Sequence, residues 1–139
     1  MEAKKRRFVL IAEHEEDSRL IYEEVISKTD FEVDYAFVGS GQELLDYLKD
    51  DSKPRPSLVL TDLKHPLDSH TLESVKEDER ISAVPLIVIT TEDDEFEIRH
   101  AYANCANSYV MKPANFQSWV DTMNQIFTYW FKTAKLASW

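Results

Sequence analysis

The sequence predicts an α/β fold: a doubly wound, five-stranded parallel sheet with helices on both faces. Short apolar runs alternate with segments of helical periodicity along the 139 residues, and this alternation is typical of parallel strands joined by right-handed crossovers. The run at residues 58–60 is continuously apolar and lies between Pro56 and Asp62. Such a run is typical of a strand that helices bury on both faces.

The first half of the chain contains three predicted strands and two predicted helices. We predict strands at residues 8–12 and 31–38, and a third strand that ends at Asp62. The first helix begins near Ser18, and a capping box at residues 40–43 starts the second. The apolar positions expected to face the sheet are Leu20, Ile21, Val25 and Ile26 in the first helix and Leu44, Leu45 and Leu48 in the second.

The second half continues the alternation. We predict a short helix at residues 67–80, a strand at 85–91, a helix at 92–104 and a last strand at 107–111. Thr91 is the expected cap of the helix at 92–104, with Asp94 three residues further on. Asn115 caps a long final helix that we expect to continue to Leu136. Its apolar stripe comprises Phe116, Trp119, Val120, Met123, Ile126, Phe127 and Trp130.

Length and composition predict one domain spanning residues 1–139. A hydrophobic fraction of 43% and an aromatic fraction of 12% suit a globular core. We expect this core to cover about residues 8–132, between a short basic lead and an apolar helical extension. No apolar run approaches the ~20 residues of a membrane helix, and a net charge of −10 argues against nucleic acid as a direct partner. The single cysteine, Cys105, excludes an internal disulfide and favours a cytoplasmic location.

Chemically reactive side chains follow four of the five predicted strands. Glu13 and His14 follow the first strand, Asp62 the third, Thr90 ends the fourth and Lys112 follows the fifth. In a strand order of 2-1-3-4-5 these four strands lie side by side, so the side chains converge at one edge. Neighbouring carboxylates repel unless a hard divalent cation lies between them. A lysine and a hydroxyl group facing them suit an incoming phosphoryl group.

Five features make the chain resemble a known family: the acidic turn at residues 13–17, Asp62 with Pro66, Thr90-Thr91, Tyr109 and Lys112-Pro113. This family is the receiver domain of two-component response regulators, which has a flavodoxin-like fold. The resemblance runs from about Phe8 to Lys132. Each motif is weak by itself, but all of them occur in the correct order at strand ends.

The resemblance implies a role for each residue of this edge. Asp62 would be the phosphoacceptor, a carboxylate nucleophile that forms an acyl phosphate. Glu13, Asp62 and the backbone carbonyl of Lys64 would hold Mg²⁺. Lys112 would neutralise the phosphoryl oxygens.

The resemblance also implies a conformational switch. Thr90 would bind the phosphoryl oxygens, and Tyr109 would turn inward when Thr90 moves. The peptide bond between Lys112 and Pro113 is expected to be cis, as it is in the family.

Three positions depart from the pattern of the family. His14 stands where a second acidic metal ligand is usual, and an imidazole suits transition metals better than Mg²⁺. It is therefore an uncertain ligand. Lys64 stands two residues after the acceptor, where the family tunes the lifetime of the phosphoryl group. Cys105 stands where a glycine commonly precedes the last strand.

These departures leave alternative functions open. In the first, a partner histidine kinase phosphorylates Asp62. In the second, the pocket is degenerate and the domain is a phosphorylation-independent adaptor. A third is a transition-metal site formed by His14, His65 and Asp62. We expect no enzyme acting on a separate substrate, and a flavodoxin is excluded because its phosphate-binding loop cannot be acidic.

The aromatic tail of the chain predicts how the signal is passed on. Trp130 and Phe131 exceed what one buried helix face requires, and exposed aromatic residues often mark an interface. The tail resembles single-domain receivers that pair with phytochrome-type kinases and dimerise through the face of helix 4, strand 5 and helix 5. We therefore expect a homodimer and a downstream protein partner. The alternative is that both rings fold back onto the core.

Overall fold

Five strands form one parallel sheet in the computed structural model, which describes residues 6–62, 74, 75 and 77–137. The strand order is β2-β1-β3-β4-β5, and each neighbouring pair is parallel. This confirms the predicted fold class and order. The strands are β1 (Arg7–Ala12), β2 (Val33–Val38), β3 (Leu58–Thr61), β4 (Leu86–Thr90) and β5 (Ser108–Met111).

Helices alternate with the strands, as predicted. They are α1 (Glu16–Ser27), α2 (Gly41–Lys49), α3 (Glu79–Ser82), α4 (Glu95–Ala103) and α5 (Phe116–Thr128), and α5 continues into a π-helical turn, Tyr129–Thr133. Most of the helix predicted at residues 67–80 lies outside the described residues. No helix in the described part of the chain has both the length and the apolar character needed to cross a membrane.

The last helix ends earlier than predicted. Helical backbone stops at Thr133, not at Leu136, and Ala134 is already extended with φ −81° and ψ 152°. The wider π turn is closed by a hydrogen bond of 2.6 Å from the Ala134 N–H to the Tyr129 carbonyl. It accompanies the stacking of Phe131 on Phe127, with ring centroids 5.3 Å apart. The helix therefore ends at Thr133, three residues before the predicted end.

Side-chain caps fix where the helices begin. The Ser40 hydroxyl accepts a 3.1 Å hydrogen bond from the Glu43 N–H, which confirms Ser40 as the cap, whereas the Glu43 carboxylate accepts from the Gly39 N–H, one residue before the position that a capping box uses. Asn115 caps α5 as predicted, by accepting from the Ser118 N–H at 2.9 Å. The cap predicted at Thr91 is wrong, because Asp94 caps α4 by accepting from the Phe96 N–H at 2.8 Å. Both residue types are good caps, and the carboxylate is the one that meets the helical N–H groups.

Apolar side chains fill a core on each face of the sheet. Leu10 and Ala12 of β1 face α2 and α4, whereas Val9 and Ile11 face α1 and α5. All four are fully buried, as a strand covered on both sides requires.

The buried face of α1 differs from the prediction. Val25 and Ile26 are buried as expected, but Leu20 and Ile21 are 56% and 46% exposed. Tyr22 takes their place at 1% exposure. Residues 22, 25 and 26 share one helical face because their spacings of three and four residues match the helical turn.

A left-handed residue ends α4. The Ala106 N–H donates to the Ala101 carbonyl at 3.0 Å, and the Cys105 N–H donates to the Tyr102 carbonyl at 3.4 Å. These two bonds form a Schellman motif, in which glycine is the usual residue at the left-handed position. Cys105 has φ 81° there, which explains why the family commonly has glycine at this position.

We expect Cys105→Gly to raise the free energy of unfolding by about 1 kcal/mol, because a Cβ atom makes the left-handed conformation costly. Urea unfolding of the variant beside wild type measures the change. Cys105→Ala is the matched control: it keeps the Cβ atom and should give no comparable gain. An equal gain in both variants would show that the sulfur, and not the backbone conformation, limits stability.

Candidate functional site

Asp62 lies directly after β3 at the carboxyl edge of the sheet. Its side chain is 11% exposed, and its Oδ2 atom is 2.6 Å from the Lys112 Nζ atom. The same oxygen accepts a 2.9 Å hydrogen bond from the Tyr22 hydroxyl group. The backbone fixes this geometry, because the Asp62 N–H donates to Ala12 and the Lys112 N–H donates to Thr90, both at 2.8 Å. The carboxylate is therefore held by two donors from two different elements.

Glu13 places a second carboxyl group beside Asp62. It is only 3% exposed, and its Oε1 atom accepts a 2.9 Å hydrogen bond from the Glu15 N–H. Burial raises the pKa of Glu13, and the nearby charge of Asp62 raises it further, against the lowering effects of the Glu15 N–H and of Lys112. The site thus holds two carboxyl groups and one ammonium group, and it favours a further positive charge.

Thr90 and Tyr109 meet at one backbone segment. Thr90 is buried, and its hydroxyl oxygen accepts a 3.1 Å hydrogen bond from the Glu92 N–H. Tyr109 is half-buried, and its hydroxyl group donates to the Glu92 carbonyl at 2.8 Å. The two predicted switch residues therefore contact the same residue of the loop between β4 and α4.

The family profile of the response regulator receiver domain matches residues 9–124. The chain belongs to this family. Receiver domains of this family are signalling modules of two-component systems, and they pair with histidine kinases. The match covers most of the chain and all of the edge residues described above.

Three known proteins of similar sequence or structure span nearly the same length. The probable methanogenesis regulatory protein FilR2 of Methanothrix harundinacea (strain 6Ac) is 30% identical over 135 residues, which are 94% of this chain and 87% of FilR2. The crystal structure of response regulator RPA3017 in red light signalling of R. palustris is 29% identical with a TM-score of 0.87, covering 96% of this chain and 99% of that one. The phosphorylated cyanobacterial phytochrome response regulator RcpA, at 24% identity and a TM-score of 0.82, covers 96% and 100% and has the same fold.

The ligand atoms of the receiver site could supply part of the coordination of a hard divalent cation. Glu13 and Asp62 supply carboxylate oxygens, the ligands that Mg²⁺ prefers. In the described part of the chain, no group of three His, Cys, Asp or Glu side chains is arranged to hold a metal. The predicted ligand Lys64 and the residue His65 lie outside the described residues.

His14 is less well placed than the two carboxyl groups. Its side chain is 48% exposed, with Nδ1 3.9 Å from the Glu13 carboxylate and Nε2 3.7 Å from the Glu15 carboxylate. The imidazole thus lies at the solvent side of the acidic turn, between two glutamates.

The cis peptide bond expected before Pro113 is not observed. The described residues contain no cis peptide bond, so the bond between Lys112 and Pro113 is trans. The preference of an X-Pro bond for either isomer is small, about 0.5–1 kcal/mol. The sequence alone therefore could not decide it.

Trp130 and Phe131 pack mainly on their own chain. Both are half-buried against the core formed with α1 and α5. Phe131 also contacts Phe31, with ring centroids 6.3 Å apart, and lies beneath the Arg7 guanidinium group at 5.7 Å. Much of each ring is therefore folded back onto the core of its own chain, as the alternative prediction expected. The more exposed apolar side chains on α4, β5 and α5 are Phe96, Tyr102, Met111 and Phe116, at 72%, 50%, 43% and 45%.

Tyr22 is the residue that sequence reasoning missed. The predicted buried face of α1 contained only aliphatic residues, and a single tyrosine within a helix matches no sequence motif. The spacing of Tyr22 with Val25 and Ile26 is the signal that could have identified it.

The raised pKa of Glu13 predicts a pH-dependent stability. The folded state holds this proton more tightly than the unfolded chain, whose pKa is near 4.5. The stabilising contribution is therefore complete below that pH and is lost as the pH rises through the folded pKa. We expect Glu13→Gln to raise the free energy of unfolding near pH 7 in the presence of a chelator, and to raise it less near pH 4.

Chemical unfolding of both proteins at the two pH values measures this difference. Glu24→Gln, an exposed position of α1, is the control and should change stability little at either pH. A Glu13→Gln protein that is less stable than wild type near pH 7 would contradict the assignment.

Proposed function

We propose that Asp62 accepts a phosphoryl group from a partner histidine kinase and that the domain passes the signal on through protein contacts. The ion pair between Asp62 and Lys112 beside the buried Glu13 carries this proposal. It combines a carboxylate nucleophile with the positive charge that a transferred phosphoryl group needs.

The transfer itself is a displacement at phosphorus. A carboxylate oxygen of Asp62 forms a bond to phosphorus, and the bond between phosphorus and the donor breaks with its electron pair leaving on the donor. Lys112 lies close enough to Asp62, at 2.6 Å, to contact the oxygens that arrive. Thr90 would donate its hydroxyl proton to one of them after turning away from the Glu92 N–H.

A divalent cation completes the site. Glu13 and Asp62 would hold Mg²⁺ together with the backbone carbonyl of Lys64, and His14 is an uncertain further ligand. When bound, Mg²⁺ supplies the positive charge that offsets the two carboxylates and the incoming phosphoryl group. The position of the buried Glu13 carboxyl group beside Asp62 supports this assignment, because two carboxyl groups face only one ammonium group there.

Thr90 and Tyr109 would form the switch. The Thr90 hydroxyl cannot keep its present geometry with Glu92 and also turn fully towards a phosphoryl oxygen. Movement of Thr90 therefore changes the backbone of Glu92, to which the Tyr109 hydroxyl donates. The side chain of Tyr109 would then be released to turn inward and change the surface of α4 and β5.

The first test is to incubate the protein with a small-molecule phosphodonor and Mg²⁺ and to record its intact mass. We expect one added phosphoryl group on wild type and none on Asp62→Asn. Lys112→Ala should react at least about tenfold more slowly, because the charge that stabilises the transferring group is lost. Failure of wild type to gain mass at any Mg²⁺ concentration, also with a cognate kinase, would instead favour the phosphorylation-independent adaptor.

The output would be a homodimer that uses the face of α4, β5 and α5, with a downstream protein as its partner. Four exposed apolar side chains lie on these elements, and Trp130 and Phe131 retain part of their surface nearby in the sequence. A kinase of the phytochrome type is the partner we propose upstream, because the 29% identical structure belongs to a red light signalling regulator.

We expect Phe116→Glu to raise the dimer dissociation constant at least about tenfold, because a charge would replace an apolar contact at the interface. Sedimentation equilibrium over a range of concentrations measures it. Leu20→Glu is the matched control on α1, where Leu20 is 56% exposed, and should leave the constant unchanged. A wild-type protein that is monomeric with and without phosphodonor would rule out this interface.

A further inference from the structure

A buried phenol contacts the proposed phosphoacceptor. The Tyr22 side chain is 1% exposed, and its hydroxyl group donates to the Asp62 Oδ2 atom at 2.9 Å. Lys112 contacts the same oxygen. Buried tyrosines usually find a hydrogen-bond acceptor, but the acceptor here is the one carboxylate whose charge would change during signalling.

Packing leaves the Tyr22 ring little freedom to move. The ring meets Trp119 of α5 edge to face, with centroids 5.3 Å apart and planes at 63°. Val25 and Ile26 lie in the same buried cluster. The hydroxyl group is therefore presented to Asp62 by two packed helices.

The phenol remains a donor across the physiological pH range. Burial raises the pKa of Tyr22 well above its usual value, and the charges of Asp62 and Glu13 raise it further. An ionised phenolate next to two carboxyl groups is thus strongly disfavoured. In the hydrogen bond between them, Tyr22 therefore remains the donor and Asp62 the acceptor over this pH range.

We propose that Tyr22 is a positioning residue that favours the free carboxylate of Asp62 over its acyl phosphate and so shortens the lifetime of the phosphorylated state. This inference rests on the proposed function and adds to it a residue that sets the duration of the signal. The contact responsible is the hydrogen bond from the Tyr22 hydroxyl group to Asp62.

The argument follows the charge on the Asp62 oxygens. Hydrogen bonds to an ionised acceptor are roughly twice as strong as those between neutral groups. Phosphorylation converts the carboxylate into an acyl phosphate, in which the two Asp62 oxygens no longer share a full negative charge. Tyr22 therefore stabilises the unphosphorylated state more than the phosphorylated one.

Hydrolysis of the acyl phosphate restores the full negative charge of the Asp62 carboxylate. The oxygen of a water molecule bonds to phosphorus, the bond between phosphorus and Asp62 breaks, and its electron pair returns to the carboxylate. The protons of the water go to inorganic phosphate and solvent. Because phosphoryl transfer passes through a loose transition state, much of the charge is already on the Asp62 oxygens there. A donor aimed at them speeds hydrolysis.

Tyr22→Phe removes the hydroxyl group and keeps the ring. Wild type and the variant are phosphorylated with a small-molecule phosphodonor and Mg²⁺, the donor is removed, and the acyl phosphate is followed over time. We expect a half-life about fivefold longer in Tyr22→Phe, and a higher phosphorylated fraction at a fixed donor concentration. Tyr22→Leu, which also lacks a donor, should lengthen the half-life in the same direction.

Tyr47→Phe is the matched control, because the Tyr47 hydroxyl donates to the Pro54 carbonyl at 2.9 Å and does not reach Asp62. Its half-life should equal that of wild type. In concentrated guanidinium chloride the acyl phosphates of all variants should decay at one rate, which separates a folded-site effect from a change in intrinsic chemistry.

Two results would overturn the inference, and they differ in what else they overturn. A half-life in Tyr22→Phe that is equal to or shorter than that of wild type refutes the role of Tyr22 and leaves Asp62 as the acceptor. If neither wild type nor Tyr22→Phe gains a phosphoryl group from the donor or from a cognate kinase, the proposed function fails together with this inference.

Discussion

The crowding of negative charge at the carboxyl edge of the sheet is the constraint on which the site depends. β1 pairs with β3, β3 with β4 and β4 with β5, all in parallel. This pairing brings Glu13, Asp62 and Lys112 to one small region. Two carboxyl groups with one ammonium group are an incomplete balance of charge in a partly buried setting. The core on either side of the sheet keeps these groups together, and in the function proposed above a cation and then a phosphoryl group would bind at this edge.

The same edge connects the site to surfaces further away. Asp62 contacts α1 through Tyr22, and Tyr22 packs on Trp119 of α5. On the other side, Thr90 and Tyr109 both bond to the backbone of Glu92 at the start of the connection to α4. Asp62 is therefore linked to α5 through the packed side chain of Tyr22, and to Thr90 through Lys112, whose side chain contacts Asp62 and whose N–H donates to the Thr90 carbonyl at 2.8 Å.

Much of the fold and site could be predicted from the sequence because both depend on strong, local patterns. Continuous apolar runs such as that before Asp62 predicted buried strands, and parallel order then placed Asp62, Thr90 and Lys112 at one edge. Cys105 was singled out only by the resemblance to the family, which commonly has glycine there, and the structure supplies the physical reason in its left-handed backbone.

The features that escaped prediction depend on tertiary contacts. Helical spacing with Val25 and Ile26 places the Tyr22 ring on the buried face of α1, but it does not predict the hydrogen bond to Asp62, 40 positions along the chain. The final helix ends in a π-helical turn at Thr133, an end that the continued apolar pattern of the tail did not predict. Which of Thr91 and Asp94 caps α4 depends on where the backbone leaves β4. The contact of Tyr22 depends on a partner distant in sequence, and the cap of α4 depends on a small difference between similar residues.

Chemical mapping of the phosphoryl group tests the central claim most directly. The protein is treated with phosphodonor and Mg²⁺, the acyl phosphate is reduced with borohydride, and the peptides are sequenced by mass spectrometry. The account predicts reduction to homoserine at position 62 alone, and none in the Asp62→Asn protein. Reduction at Glu13 or at another carboxylate, with Asp62 unmodified, would contradict it.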